Sequence, residues 1–396
     1  MALWTPAVRR ATLGTPSNAY QDTMTGTQNP KSERFVLMDG LRGVAAVFIV
    51  QRHAEPMLGE ALPSSYLGVD LFFGLSGFVL AHAYGAALAS GRIAPLAFMK
   101  ARLLRLYPLY LVALALTVGY YLRMYHAGLP VMADEMVMPQ ELAIGILTGL
   151  LFLPAPFTIS FNAALFLVHP AWSLFDELVA NFVYALRGAA ADTRRIAAVI
   201  AISALVLVIA ALQFERLHAG FRWHEMYAGL ARVFFSFSVG VLIYRYRPKT
   251  PVVRPVAALA CLAVVAVVLA FPTPKDARWI FDLVIVLLVW PALLYAASGI
   301  VPERRTAAVS GFLGTASYGL YVLHAPLLDW SILGWAQWSG QRIENLPFAP
   351  VAGIVFITAA VFLSWWLTVA FDQPLQRRFK RARGDRRPLA DNPGGP

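Results

Sequence analysis

Residues 255–271 read PVAALACLAVVAVVLAF, seventeen positions without a single charge. A helix of about 20 apolar residues crosses roughly 30 Å of hydrocarbon, so the stretch reads as a membrane span. Runs of similar length and character recur at about 36–53, 68–84, 104–122, 171–187, 196–213, 227–244, 279–298, 311–333 and 348–371. Together they predict an all-α, polytopic membrane protein with about ten transmembrane helices.

Composition leads to the same class. Three hundred and ninety-six residues would suit two or three soluble domains, but 59% are hydrophobic, 14% are charged and the mean hydropathy is +0.61. Soluble domains run near 45–50% and 25%, so this chain lacks the polar surface to coat a water-facing globule. Lysine and arginine number 33 against 22 acidic residues, a net charge of +11. In a soluble protein that excess suggests nucleic acid; in a membrane protein it is what the positive-inside rule produces, and the lipid bilayer rather than nucleic acid is the expected partner. The one cysteine, Cys261, excludes an intrachain disulfide and a metal–thiolate cluster.

Charge placement sets the threading. With ten passes and both termini cytosolic, 25 of the 33 cationic residues fall on one side. The run Leu142–Leu153, closed by Pro154 and Pro156, is too short to cross and is expected to be re-entrant or interfacial. Counting it as a pass would leave the most basic segment outside. Residues 1–34 have no apolar h-region and read as a disordered cytosolic tail. Residues 35–375 form the transmembrane domain, and 376–396 read as a basic, disordered cytosolic tail against anionic lipid.

Ionisable groups at membrane depth are expensive and mark candidate sites. Arg42 and His53 lie eleven positions apart on the first helix. That separation is about 16 Å of rise and close to three full turns, which puts both side chains on one face. Asp70 opens the return pass and is expected at similar depth to His53, where a carboxylate would orient the imidazole. Arg102 and Arg105, at i and i+3, project together, and guanidinium forks suit phosphate oxygens; a lipid-headgroup flank is the plainer reading. Gly74 and Gly77 serve helix packing or passage of a slender ligand. Asp176 and Glu177 enter a lipid phase side by side and need a partner or a proton. Asp372, at the inner end of the last helix, suits an ion pair with an inner arginine. There is no zincin motif, no Gly-x-Ser-x-Gly elbow and no P-loop.

The segments Asp39-Gly40-Leu41-Arg42-Gly43 with His53, Gly68-Val69-Asp70-Leu71-Phe72-Phe73 with Ser76-Gly77-Phe78, and Arg102-x-x-Arg105 with Leu106-Tyr107-Pro108 occur in order. Trp172-Ser173-Leu174-x-x-Glu177, Ser317-Tyr318-Gly319-Leu320-Tyr321 with His324 and Pro326, and Asp372-Gln373-Pro374 follow. Over residues 35–375 this series resembles the acyltransferase-3 family of polytopic membrane acyltransferases, many of which O-acylate cell-surface glycans. The resemblance implies an acyl-CoA, by family precedent acetyl-CoA, as cytosolic donor co-substrate, with no tightly bound cofactor and no metal. It makes Arg42 and His53 essential and puts Arg102 and Arg105 near the CoA phosphates. It also draws Ser76, Trp172, Ser173, Tyr318 and His324 to the substrate pocket. Two departures stand out: Asp372 occupies a position where the family usually has Glu, and the fused periplasmic esterase-like domain is missing, the stand-alone form.

The expected mechanism follows. CoA phosphates stay at the inner face with Arg102 and Arg105, pantetheine rises past Arg42, and His53, oriented by Asp70 or Glu177, takes the proton of an acceptor hydroxyl. An acyl-histidine intermediate is the alternative route. The acceptor is expected to be a carbohydrate, a cell-surface glycan or its lipid-linked precursor, handled in the bacterial inner (plasma) membrane. Trp223 and Trp338 on outer loops suit stacking on sugar rings, or belt anchoring. A transporter or proton-coupled permease is the rival from another class, although no second copy of the Arg42/His53 or Arg102/Arg105 segments marks an internal repeat.

Overall fold

A computed structural model describes residues 35–59, 62–130, 136, 138–156, 165–272 and 275–382. The expected N-terminal tail, 1–34, and residues 383–396 lie outside them. Long helices dominate: α1 (Val36–His53), α2 (Gly68–Leu80, running on through a π-turn at Ala81–Gly85), α3 (Pro95–Ala127), α4 (Pro139–Leu150), α5 (Ala171–Leu186) and α6 (Thr193–Phe214). They continue with α7 (Met226–Tyr246), α8 (Pro255–Ala270), α9 (Arg278–Ser298, with a π-turn at Ile285–Val289), α10 (Arg304–Ser339), α11 (Ala349–Leu367) and α12 (Gln373–Ala382). A two-residue parallel bridge joins β1 (Val252–Val253) to β2 (Ile300–Val301).

Local chemistry sets the helix ends. Proline opens α3, α4 and α8, where its missing N–H has no intrahelical partner to lose. Asp192 caps α6 by accepting from the Arg195 N–H at 2.8 Å. Gly128 and Gly340 take left-handed φ values of 63° and 69° and close α3 and α10.

Among the described residues, six helical segments are long and apolar enough to cross a membrane: 65–89, 95–127, 193–214, 223–246, 278–298 and 349–379. The other four expected passes are helical but fall outside that criterion for chemical reasons. α5 and α8 have sixteen residues each. α1 holds Asp39, Arg42 and Arg52 within eighteen residues, and α10 mixes glycine, serine, threonine, tyrosine and histidine into its apolar sequence. The short run after α3 is the twelve-residue helix α4, ended at Phe152, whose φ is +56°. Residues 376–382, expected to be part of a disordered tail, instead complete α12. Gln376 ties this helix down by donating to the Leu104 carbonyl at 2.8 Å and to Asp372 Oδ1 at 3.1 Å.

Contacts at successive depths give the helix directions. Arg42 meets Gly314 and Ser317 while His53 meets His324, so α1 and α10 run the same way. Leu106 with Tyr318 and Leu116 with Trp330 align α3 with them. The pairs Asp70/Arg232 and His82/Tyr244 make α2 parallel to α7, and Asp176/Gly229 with Tyr184/Phe237 make α5 parallel to α7. The α2–α7 contact is close because it is glycine-lined: a Cβ on Gly77 would collide with the Phe237 main chain, and one on Gly240 with the Gly74 carbonyl. Gly74 and Gly77 are therefore accounted for by packing.

Candidate active site

The polar side chains fall into two groups at opposite ends of α1. At its N-terminal end Arg42 reaches across to α10, donating from Nε to Ser317 Oγ at 2.9 Å and from Nη2 to the Gly314 carbonyl at 3.1 Å and Asp39 Oδ1 at 3.0 Å. The glycines here let the helices approach: a Cβ on Gly43 or Gly314 would strike the partner helix. Arg102 and Arg105 share a face of α3, as their spacing predicts, but each is held by a carboxylate. Arg102 Nη2 donates to Glu177 Oε1 at 2.7 Å, and Ser76 Oγ donates to the same oxygen at 2.6 Å. Arg105 Nη1 donates to Asp372 Oδ2 at 2.5 Å, with its guanidinium 5.6 Å from the centre of the Tyr318 ring. Tyr318 in turn donates to the Leu106 carbonyl. Glu177, Ser76 and Tyr318 thus belong to this arginine end. Asp372 forms the ion pair with an arginine expected of it.

The C-terminal end of α1 carries a group of imidazoles. The His53 ring centre lies 4.7 Å from that of His324 and 6.4 Å from that of His169. His53 and His169 are exposed, whereas His324 is buried. His324 Nδ1 lies 2.7 Å from the Tyr321 carbonyl and 3.2 Å from that of Leu320. A carbonyl only accepts, so Nδ1 carries the hydrogen and Nε2 is left as a lone pair, with no hydrogen-bond partner among the described residues. Ser173 bonds to the Tyr321 hydroxyl at 2.5 Å and Trp172 lies 5.5 Å beneath Arg232, so both help frame this end.

One expectation is corrected here. Neither Asp70 nor Glu177 orients His53. Asp70 accepts from Arg232 through both oxygens, at 3.0 and 2.7 Å, and both side chains are almost fully buried. Glu177 lies with Arg102. The ring beside His53 is another imidazole, from a helix nearly three hundred residues on. Trp223 donates its indole N–H to the Ala155 carbonyl at 2.9 Å, which fixes a loop, while Trp338 is 79% exposed.

Arg232, Asp282, His169, His218 and Tyr321 are polar residues at this end to which sequence reasoning gave no role. Arg232 was readable as a lone guanidinium inside the apolar run of α7. Asp282 Oδ2 accepts from the Tyr66 hydroxyl at 2.5 Å and the Leu217 N–H at 2.7 Å, so it anchors the loop that carries His218. Asp176 is buried with neither oxygen hydrogen-bonded among the described residues, and the structure shows no role for it. No group of three or more His, Cys, Asp or Glu side chains suited to a metal ion occurs among the described residues.

Apolar helices that carry the Arg102–Glu177 and Arg105–Asp372 pairs towards one end of α1 and a group of imidazoles at the other suit a multi-pass membrane protein. Residues 35–369 match the acyltransferase domain family, Acyl_transf_3, and the chain belongs to that family: it is an acyltransferase. It is also 58% identical over 191 residues to "Protein 2 in picA locus" of Rhizobium radiobacter, a match covering 48% of this chain and 100% of that relative. No solved structure matches.

Proposed function

We propose that this acyltransferase moves an acyl group, acetyl by preference, from cytosolic acyl-CoA to a hydroxyl of a carbohydrate, a cell-surface glycan or its lipid-linked precursor, at the inner (plasma) membrane. The observation that carries the reading is that α1 presents Arg42 at one end and an accessible His53 at the other, both against α10. The CoA phosphates engage Arg102 and Arg105, replacing Glu177 and Asp372 as partners, and the pantetheine arm follows α1 to His53. There a neutral His53 takes the proton of the acceptor hydroxyl as its oxygen attacks the thioester carbonyl. Collapse of the tetrahedral intermediate breaks the C–S bond, and the CoA thiolate leaves and receives that proton.

The threading belongs to the same proposal: ten passes with both termini cytosolic. Helix directions support it, because α1, α3 and α10, the first, third and ninth passes, run one way, while α2, α5 and α7, the second, fourth and sixth, form a second parallel set. Had α4 been a full crossing, α5 would run with α3 rather than in the set of α2. The parallel β1–β2 bridge likewise joins two loops expected on the cytosolic side.

Membranes containing the chain are expected to release free thiol from acetyl-CoA. His53→Ala or His53→Gln at matched protein level should lower that rate by at least about 100-fold, the scale of a lost general base. Full activity in both variants would overturn the assignment.

A further inference from the structure

Three imidazoles lie ring to ring at the C-terminal end of α1, and His324 differs from the other two in burial and in how its ring is tied. It is 1% exposed, whereas His53 and His169 are exposed. Its Nδ1 is held by the Tyr321 and Leu320 carbonyls, one turn back on α10. Carbonyls accept and never donate, so the ring hydrogen sits on Nδ1 and Nε2 can act only as an acceptor. That acceptor is sealed inside the protein with no hydrogen-bond partner among the described residues. An unpaired buried acceptor is costly, and native folds keep few of them without a use.

Two polar rings approach His324: His53, whose centre is 4.7 Å away with the planes at 43°, and Tyr321, at 6.1 Å. Ser173 gives its own hydrogen to the Pro170 carbonyl at 3.1 Å, so at 2.5 Å from Ser173 Oγ the Tyr321 hydroxyl spends its hydrogen on Ser173. His53 is left as the donor. Turning an exposed ring about its Cβ–Cγ bond is easy, and catalytic hydrogen bonds are often formed only when substrate is bound. The carboxylates on which a general-base imidazole usually leans are engaged elsewhere, Asp70 with Arg232 and Glu177 with Arg102 and Ser76.

We infer that His324 is a positioning residue for His53: its Nε2 accepts the hydrogen of one His53 ring nitrogen, which fixes the tautomer and turns the other nitrogen, as a lone pair, to the acceptor hydroxyl. This role rests on the reading of His53 as general base in the preceding section. When His53 takes the hydroxyl proton, both of its nitrogens carry hydrogen and one of them is held by His324. The new proton then passes to the CoA thiolate, and His324 stays neutral throughout. A neutral imidazole thus stands where a Ser–His–Asp arrangement has its carboxylate. The exchange suits an apolar bundle, in which a further buried carboxylate would need a cation of its own.

The test uses the full chain in lipid vesicles, with histidine isotopically labelled at its ring nitrogens and signals assigned from His53→Gln and His324→Leu. Nitrogen NMR of the unsubstituted chain is expected to show hydrogen on His324 Nδ1, a bare but hydrogen-bonded Nε2, and His53 in a single tautomer. In His324→Leu, of similar bulk but with no acceptor, His53 should exchange between tautomers. Thiol release from acetyl-CoA should then fall at least about tenfold in kcat, with KM for acetyl-CoA changed by less than about twofold. His324→Gln, whose side-chain oxygen can accept where Nε2 does, should recover part of the loss; a packing role alone would favour leucine over glutamine. Hydrogen on His324 Nε2 overturns the inference without any variant having to fold. So does an unchanged His53 tautomer or full kcat in His324→Leu. Full thiol release by His53→Gln would sink the proposed function, while a tautomer that depends on His324 would still uphold the contact between the two rings.

Discussion

Arg232 and Asp70 show how strongly one buried residue commits the rest. The guanidinium is 1% exposed and spends its donors on both Asp70 oxygens and on the carbonyls of Ala219 and Tyr66, so α2, α7 and the 215–222 loop meet at one side chain. Removing either partner strands a charge in a medium that cannot solvate it. Arg232→Met or Asp70→Leu alone is therefore expected to cost about 3–5 kcal/mol, whereas the double replacement recovers much of the loss. Thermal unfolding of the three proteins in one detergent checks this; additive losses in the double variant would contradict a closed pair. Arg102 behaves differently, because its partner Glu177 also accepts from Ser76. Glu177→Gln is expected to leave the fold intact and alter the KM for acyl-CoA more than kcat, since it changes how readily Arg102 is given up to a phosphate.

Among the helices, close approach depends on glycine at a few positions. Gly77→Ala should cost about 1–3 kcal/mol through overpacking against the Phe237 main chain. Gly334→Ala meets nothing within 4 Å in α10 and should be neutral or stabilising. A melting-temperature comparison separates the two, and an equal response would remove the glycine-lined contact as the reason α2 and α7 pack so closely. The elements themselves were largely legible in the sequence, because length, apolarity and proline or glycine at the ends are local properties. Residues 376–382 escaped that reading: their helix depends on Gln376 reaching the carbonyls of α3, a contact that composition does not reveal.

For the whole molecule, the face shared by Arg42 and His53 was legible because the helical period alone places it. What those side chains face was not. Ser317, Gly314 and His324 lie more than 270 positions along the chain, and nothing in the apolar runs records which helices become neighbours. The same blindness assigned Asp70 to His53, its neighbour in depth, when its partner is Arg232 on another helix. Charge excess was legible only as a sidedness rule; that Arg52 and Arg278, which break the rule, both donate to the Pro63 carbonyl was not.

In the proposed mechanism a donor bound at the arginine end delivers its acyl group to an acceptor at the histidine end, on the opposite side of the membrane. Sealed inside-out vesicles from cells making the chain, given radiolabelled acetyl-CoA in the medium, measure this directly. The expected result is label in carbohydrate enclosed in the vesicle lumen, absent with His53→Gln. Label confined to the outer medium, or lumenal label undiminished in that variant, would contradict it.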